Sequence, residues 1–141
     1  MEPYPIESSQ MLFFGMRTLL LALIVMSASN VCALSGAPGN ISTSAAQKMI
    51  KGKNILILDV RTPEEYAKGH LVNAQLMNFY DNTFSDQLKT LPKSKTVIIY
   101  CRSGVRSSQT FAMMKKLGFN NVYDMRGGFD AWSKEKRPST R

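Results

Sequence analysis

Two continuous apolar runs constrain the fold of this chain more than any other feature of its sequence. The runs are "ILILDV", residues 55–60, and "TVIIY", residues 96–100. A strand with one face in water alternates apolar and polar residues, whereas a continuous run of this length is expected where both faces are covered. Covered strands of this kind occur in parallel sheets that have helices on both sides. The runs therefore predict an α/β protein.

Helical patterns separate the predicted strands. "STSAAQKMIKG" offers a Ser or Thr cap and then a short helix, and "TFSDQLKTLP" predicts a helix that is stopped by Pro92. Thr62 and Pro63, followed by two acids, predict another helix start. "RSSQTFAMMKKLGF" predicts a longer helix that ends at Gly118, because its apolar face follows helical spacing at Thr110, Met113, Met114 and Leu117.

Three further stretches of the sequence complete the alternation of strands and helices. "AQLMNF" and "NVYDM" predict short strands, and "RGGFDAWSKEK" predicts a turn and a last helix. Strands that alternate with helices at this spacing form βαβ units, which are right-handed crossovers between parallel strands. We therefore expect a mostly parallel sheet with helices on both faces.

Residues 1–33 are interpreted as a signal-peptide region outside the fold. Arg17 precedes a short apolar run at 19–26, and small residues in "VCA" predict cleavage after Ala33. The run is shorter than the ~20 residues that span a bilayer comfortably. An uncleaved anchor stays open as an alternative, although Arg17 would then lie inside the span. Met16 is a candidate for the true start, because acids precede it where basic residues are expected.

The rest of the chain divides into a linker at 34–40, one domain at 41–136 and a basic tail at 137–141. The chain has 141 residues, which suits one domain rather than two. Its formal net charge is +8, but lysine and arginine are scattered outside "KEKRPSTR" near the end, so no nucleic-acid partner is expected. The predicted localisation is periplasmic or secreted, without stable membrane association if the signal is cleaved.

The stretch "YCRSGVRSS" contains the candidate reactive group, Cys101. Cys101 ends a predicted strand and precedes a predicted helix, and ligands of α/β sheets bind at the carboxyl ends of strands. The first N–H groups of a helix bind anions, Arg102 and Arg106 add positive charge, and Gly104 permits tight curvature. These features favour a thiolate over an inert buried cysteine, which is the alternative for a lone thiol. Removal of the signal region would leave Cys101 without an intrachain disulfide partner.

Three stretches resemble the single-domain rhodaneses, a family of sulfurtransferases. They are "ILDVRTPEEYAKGHL", "VIIYCRSGVRSS" and "NVYDMRGGFDAW", and the resemblance covers roughly residues 41–136. It implies a three-layer fold with a mostly parallel five-stranded sheet between helices. The family usually has Gly-Ala where this chain has Asn73 and Ala74, and usually has an Asn where this chain has Leu76.

The resemblance also implies a site and a reaction. Cys101 matches the catalytic cysteine, and the anion-binding loop that follows consists of Arg102, Ser103, Gly104, Val105 and Arg106. The implied reaction moves sulfane sulfur from thiosulfate or a similar donor to cyanide or a thiol acceptor, through a persulfide on Cys101. The implied partners are therefore a small anionic donor and one of these acceptors, with no metal and no organic cofactor.

Two other functions stay open from the sequence. One is a non-enzymatic sulfur carrier or binding module of the same fold. The other is a cysteine phosphatase or arsenate reductase, but those enzymes have a Cys-x5-Arg loop. The spacing from Cys101 to Arg106 is Cys-x4-Arg, one residue shorter, and therefore fits a single sulfur atom better than a tetrahedral oxyanion.

Several further residues have predicted supporting roles. Asp59 and Arg61 are expected to form an ion pair that holds the cysteine loop. His70, the only histidine, is interpreted as structural, and Trp132 is interpreted as a core residue. Arg126 is a candidate border of the substrate pocket.

Overall fold

A five-stranded parallel sheet forms the centre of the computed structural model, which describes residues 39–141. The strands are β1 (Asn40–Ile41), β2 (Ile55–Asp59), β4 (Ala74–Leu76), β5 (Thr96–Tyr100) and β6 (Val122–Met125). Their spatial order is β1-β6-β5-β2-β4, and every neighbouring pair is parallel. The prediction of a mostly parallel five-stranded sheet is confirmed.

Helices cover both faces of this sheet and produce two separate hydrophobic cores. The helices are α1 (Thr43–Met49), α2 (Pro63–Ala67), α3 (Phe84–Thr90), α4 (Val105–Lys116) and α5 (Gly128–Lys134). One core contains buried residues of α3 and α4, such as Leu88 and Met114, packed against alternate residues of β5. The other contains Ala46 of α1 and Trp132 of α5. The result is the predicted three-layer α/β arrangement.

Local sequence signals explain the ends of α2 and α4. Thr62 and Glu65 form a capping box at the start of α2, with Pro63 in its first turn. The end of α4 is a Schellman motif, in which the N–H of Gly118 donates to Lys115 (3.1 Å) and the N–H of Phe119 donates to Met114 (3.0 Å). Gly118 has φ +84°, which glycine adopts without steric penalty.

Three two-residue strands were not predicted from the sequence. They are β1, β3 (His70–Leu71) and β7 (Ser139–Thr140), and the last two form a separate antiparallel pair. β1 begins at Asn40, which was assigned to the linker, and β7 lies in the segment assigned to the basic tail. Two residues are too few to produce an alternating pattern. Residues 1–38, including the predicted signal region and most of the linker, lie outside the described residues.

Asn73 preserves the turn at which the chain departs from the usual family sequence. It has φ +63°, in the left-handed region that glycine adopts freely and that asparagine tolerates better than most residues. The next residues, Ala74 to Leu76, then pair in parallel with β2. Within residues 39–141, no helix has the length and apolar character needed to cross a membrane.

Candidate cysteine site

Cys101 directly follows β5, the central strand of the sheet. The residue is buried, with 1% of its surface exposed, and its Sγ accepts a hydrogen bond from the N–H of Gly104 at 3.1 Å. Gly104 has φ +116°, a conformation that strongly favours glycine, and it is the N-cap residue of α4. The loop therefore turns back on itself so that a backbone donor reaches the sulfur.

The first turn of α4 adds positive potential to the same loop. A helix leaves the N–H groups of its first residues without intrahelical acceptors, and its dipole is positive at this end. Arg102, Ser103 and Val105 are exposed, Gly104 is half-buried, and Arg106 is half-buried. The five predicted loop residues thus form the turn after Cys101 and the start of α4, and among them the Gly104 N–H contacts the Cys101 sulfur. The arrangement can stabilise a negatively charged sulfur atom.

The first turn of α5 supports the loop from another side. The N–H of Phe129 donates to the Cys101 carbonyl (2.8 Å), and the N–H of Asp130 donates to the Arg102 carbonyl (3.0 Å). A Cβ atom on Gly128 would lie 2.3 Å from the Cys101 carbonyl oxygen, so only glycine permits this approach. The sequence analysis interpreted this segment as a turn and the last helix, without a contact to the cysteine loop. The paired glycines were the available signal for a close backbone contact.

Arg106 forms an ion pair with Glu65, a residue that the sequence analysis did not include in the site. Its two terminal nitrogens bind the two carboxylate oxygens at 2.7 and 2.8 Å, which is a bidentate arrangement. The hydrogen bond from Arg106 lowers the pKa of Glu65 to about 2, although desolvation opposes the shift. The same carboxylate accepts the N–H of Thr62 at 3.0 Å. The guanidinium of Arg106 therefore forms an ion pair that connects α4 to α2.

Arg102 and Lys68 are the exposed cations that line a small cavity beside the loop, and the buried Arg61 lines it as well. The side chain of Arg102 is 69% exposed, and its Nε lies 3.4 Å from a carboxylate oxygen of Asp130, which is also exposed. An exposed pair of this kind binds weakly and leaves the arginine available to other anions. The cavity has a volume of about 280 Å³ and is lined by Arg61, Glu65, Lys68, Arg102, Phe129 and Asp130.

Asp59 and Arg61 form a buried ion pair at 2.6 Å. Arg61 also donates to the Gly69 carbonyl at 2.7 Å, and its guanidinium carbon lies 4.1 Å from the centre of the Phe129 ring. These contacts connect the end of β2 to the entry of β3 and to α5. Burial, followed by the charge of Asp59, raises the pKa of Tyr100, whose hydroxyl accepts the N–H of Leu71 at 3.1 Å.

The contacts of His70 and Trp132 are those of residues that stabilise the fold. Nδ1 of His70 lies 3.1 Å from the Tyr66 carbonyl, and the two rings stack with their centres 3.6 Å apart. Trp132 is fully buried, and its Nε1 donates to the Pro138 carbonyl at 2.9 Å. Within residues 39–141, no group of three or more His, Cys, Asp or Glu side chains is arranged to hold a metal ion.

Arg126 lines a second and larger cavity, a groove that also borders the loop. This groove has a volume of about 550 Å³, and Ser103, Gly104 and Val105 of the cysteine loop form part of its wall. The same groove contains Asp124, a buried acid that the sequence analysis placed in a strand and gave no role. The other lining residues are Asn40, Ser108, Gln109 and Gly127.

A protein-family model described as "Rhodanese-like domain" matches residues 42–135. The chain belongs to the rhodanese-like family. A sulfurtransferase of Allochromatium vinosum is 34% identical over 97 residues, which cover 69% of this chain and 89% of that protein. A rhodanese-related protein of Thermoplasma volcanium has a TM-score of 0.65 at 27% identity, with 72% of this chain and 96% of that chain covered.

Other rhodanese-like relatives include longer proteins. A probable adenylyltransferase/sulfurtransferase of Mycobacterium tuberculosis is 36% identical over 87 residues, which cover 62% of this chain but only 22% of that protein. The thiosulfate sulfurtransferase GlpE of Coxiella burnetii is 30% identical over 92 residues, covering 65% of this chain and 84% of that protein. Relatives of this rhodanese-like domain are thus named sulfurtransferases both as short proteins and as parts of longer ones.

Proposed function

We propose that this rhodanese-like domain is a sulfurtransferase that carries sulfane sulfur as a persulfide on Cys101. The observation that carries the proposal is the N–H of Gly104, which lies 3.1 Å from Cys101 Sγ where the central strand meets the first turn of α4. A sulfur anion gains hydrogen bonds and favourable helix-dipole energy in this position. The names of the relatives support sulfur transfer as the reaction class.

The proposed reaction has two steps that balance in atoms and charge. The Cys101 thiolate attacks the outer sulfur of thiosulfate, the sulfur–sulfur bond of the donor breaks, and sulfite leaves with the electron pair. The product on the enzyme is a persulfide anion, which the backbone N–H groups of the loop stabilise. Cyanide then attacks the outer sulfur and leaves as thiocyanate, or a thiolate acceptor takes the same sulfur and leaves as a persulfide. Either route restores the Cys101 thiolate.

Arg102 and Lys68 are the residues that we assign to attraction of the anionic donor. Both line the cavity next to the loop, and Arg102 is exposed with only a 3.4 Å contact to Asp130. The sequence alone suggested Arg106 for the same task. Because Arg106 is bound on both terminal nitrogens by Glu65, we assign it mainly to holding the loop.

The same ion pair argues against the phosphatase alternative. A cysteine phosphatase needs a loop arginine that binds the phosphate dianion, whereas the Arg106 guanidinium is engaged by a carboxylate. The loop is also one residue shorter than Cys-x5-Arg. A sulfur carrier without turnover differs from the enzyme only in its rate of release. The rate of sulfur release over several turnovers therefore distinguishes a sulfur carrier from a sulfurtransferase enzyme.

The mass of the intact protein after thiosulfate treatment tests the proposal. We expect the wild type to gain one sulfur atom, about 32 Da, that cyanide then removes as thiocyanate. Cys101→Ser should fold, because the residues are similar in size, and should neither gain sulfur nor turn over. A wild type that gains sulfur but releases it without multiple turnovers would be a carrier. Sulfur gain by the Ser variant, or none by the wild type, contradicts the proposed persulfide.

We also propose that the protein is exported and that cleavage after Ala33 releases it. The support is the order of Arg17, the apolar run at 19–26 and the small residues in "VCA". N-terminal sequencing of protein recovered from its native cell tests this. A first residue at Leu34 in the exported fraction is expected. A chain that starts at Met1 or Met16 in the cytosolic fraction contradicts export, and a full-length chain in the membrane fraction indicates an uncleaved anchor.

A further inference from the structure

The small cavity beside the cysteine loop is lined by charged side chains that differ in how firmly they are bound. Arg61 and Glu65 each have a close partner outside this lining, Asp59 at 2.6 Å and Arg106 at 2.7 Å. Opposite charges at these distances largely cancel each other at a longer range. The electrostatic potential that a ligand meets in the cavity is therefore set by the exposed charges.

The exposed charges of this lining are Lys68, Arg102 and Asp130, two positive and one negative. The carboxylate of Asp130 is 58% exposed and lies 3.4 Å from Arg102 Nε. An exposed pair at this distance is weak, so a charged ligand can compete for either partner. A ligand that matches all three side chains has an anionic group for the two cations and a cationic group for Asp130.

The volume of the cavity is larger than thiosulfate needs. It is about 280 Å³. At about 30 Å³ for each heavy atom, the share of one water molecule in the liquid, the five heavy atoms of thiosulfate fill about half of this volume. The backbone N–H of Asp130 donates to the Arg102 carbonyl at 3.0 Å, which holds the acid beside the residue that follows Cys101. A donor longer than thiosulfate can therefore extend from the loop toward this carboxylate.

We propose that Asp130 is a specificity-determining residue that favours sulfur donors carrying an ammonium group in addition to their anionic sulfane-sulfur group. The inference rests on the proposed sulfur transfer, because it names the donor class for that site. 2-Aminoethanethiosulfonate belongs to this class. The Cys101 thiolate attacks its outer sulfur, the sulfur–sulfur bond breaks, and the sulfinate leaves with the electron pair. The ammonium group is attracted by Asp130, whereas the same carboxylate repels the thiosulfate dianion.

Two thiosulfonates that differ in the ammonium group test this preference. The measurement is kcat/KM for the donor in thiocyanate formation. We expect the wild type to favour 2-aminoethanethiosulfonate over ethanethiosulfonate about 2- to 5-fold, the factor that an exposed ion pair controls. Asp130→Asn should remove this preference and raise kcat/KM for thiosulfate by a similar factor. Asp130→Glu keeps the charge and should keep the preference.

Asp86→Asn is the matched control for the change in net charge. Asp86 is an exposed acid of α3 that pairs with Lys89 at 2.7 Å. We expect this variant to retain the wild-type preference. A preference that survives in Asp130→Asn, or that is lost equally in Asp86→Asn, overturns the assignment. Equal slowing of all three donors by Asp130→Asn also overturns it, since a residue that only supports the loop would act in this way.

Alkylation of Cys101 separates this inference from the proposed function, because alkylation needs no sulfur transfer. The reagents are 2-bromoethylammonium, which is cationic, and iodoacetamide, which is neutral, and the mass of the peptide that contains Cys101 gives both rates. The cationic-to-neutral rate ratio should fall about 2- to 5-fold in Asp130→Asn and stay unchanged in Asp86→Asn. This fall in a protein that transfers no sulfur would refute the proposed function alone. An unchanged ratio overturns the inference even where sulfur transfer proceeds.

Discussion

Replacement of Glu65 by glutamine tests whether its ion pair with Arg106 stabilises the fold around the cysteine loop. The two side chains meet at 2.7 Å, with 25% of Glu65 and 14% of Arg106 exposed. Glutamine has the same shape and still accepts the N–H of Thr62, so the capping box of α2 is retained. The change therefore removes the charge and leaves the half-buried Arg106 guanidinium without its counter-ion.

The expected loss follows from the pKa of Glu65. The hydrogen bond from Arg106 is the largest cause of the fall in this pKa from 4.5 to about 2, and the Thr62 N–H and the charge of Arg61 contribute to it. Each pKa unit corresponds to about 1.4 kcal/mol, which sets an upper value of about 3.5 kcal/mol. Solvent screening of a partly exposed pair reduces the effect, so we expect Glu65→Gln to lower the free energy of unfolding at neutral pH by about 1–2 kcal/mol.

The loss depends on pH in a defined direction. A carboxyl group whose pKa is lowered by folding contributes its full stabilisation above its unfolded pKa, and this contribution decreases as the pH falls through the folded pKa. For Glu65 the window runs from 4.5 down to about 2. The stability difference between wild type and Glu65→Gln should therefore be greatest at neutral pH and should shrink as the pH falls through this window.

Urea denaturation followed by fluorescence measures this difference, because Trp132 is the only tryptophan and is fully buried. Glu64→Gln is the matched control, since Glu64 occupies the same helix turn, is exposed and belongs to no ion pair with Arg106. We expect it to change stability much less. Equal losses in the two variants, or a loss for Glu65→Gln that does not shrink with acid, would refute the role of the ion pair.

Two further predictions concern the support of the loop and the capture of the donor. Gly128→Ala should destabilise the protein by about 2–4 kcal/mol, from left-handed strain and overpacking, because its Cβ would lie 2.3 Å from the Cys101 carbonyl. Gly118→Ala measures the strain alone in the same unfolding assay, and equal losses would refute the clash. Arg102→Ala should raise KM for thiosulfate about 2- to 10-fold and weaken its salt dependence. Lys89→Ala, on α3, is the control, and an unchanged KM in the Arg102 variant removes that arginine from donor binding.

The sheet and the position of Cys101 could be predicted because their signals are local. Covered parallel strands appear as continuous apolar runs, and both central strands were found at residues 55–59 and 96–100. Gly118 marked the end of α4 because a left-handed residue favours glycine there. The two-residue strands carry no such pattern. β7 is defined only by its pairing with β3, which lies far from it in the sequence.

The supports of the cysteine loop could not be predicted, because each one joins distant parts of the chain. Arg106 was assigned to the donor from its charge, and nothing in the loop sequence indicates that Glu65 of α2 binds it. The sequence likewise indicated only a turn at Gly128. It did not indicate that the backbone of Gly128 lies close to the Cys101 carbonyl.

These supports explain why a short loop can suit sulfur chemistry. Glu65 holds Arg106 from one side, the first turn of α5 holds the carbonyl of Cys101 from another, and the Ser107 hydroxyl donates to the Gly104 carbonyl. A loop restrained at three points needs little reorganisation when charge develops on the sulfur, because the Gly104 N–H is already directed at Cys101 Sγ. The same restraint opposes the expansion that a tetrahedral oxyanion would require. Preorganisation around one sulfur atom, rather than a freely mobile arginine, is therefore the feature on which the proposed specificity depends.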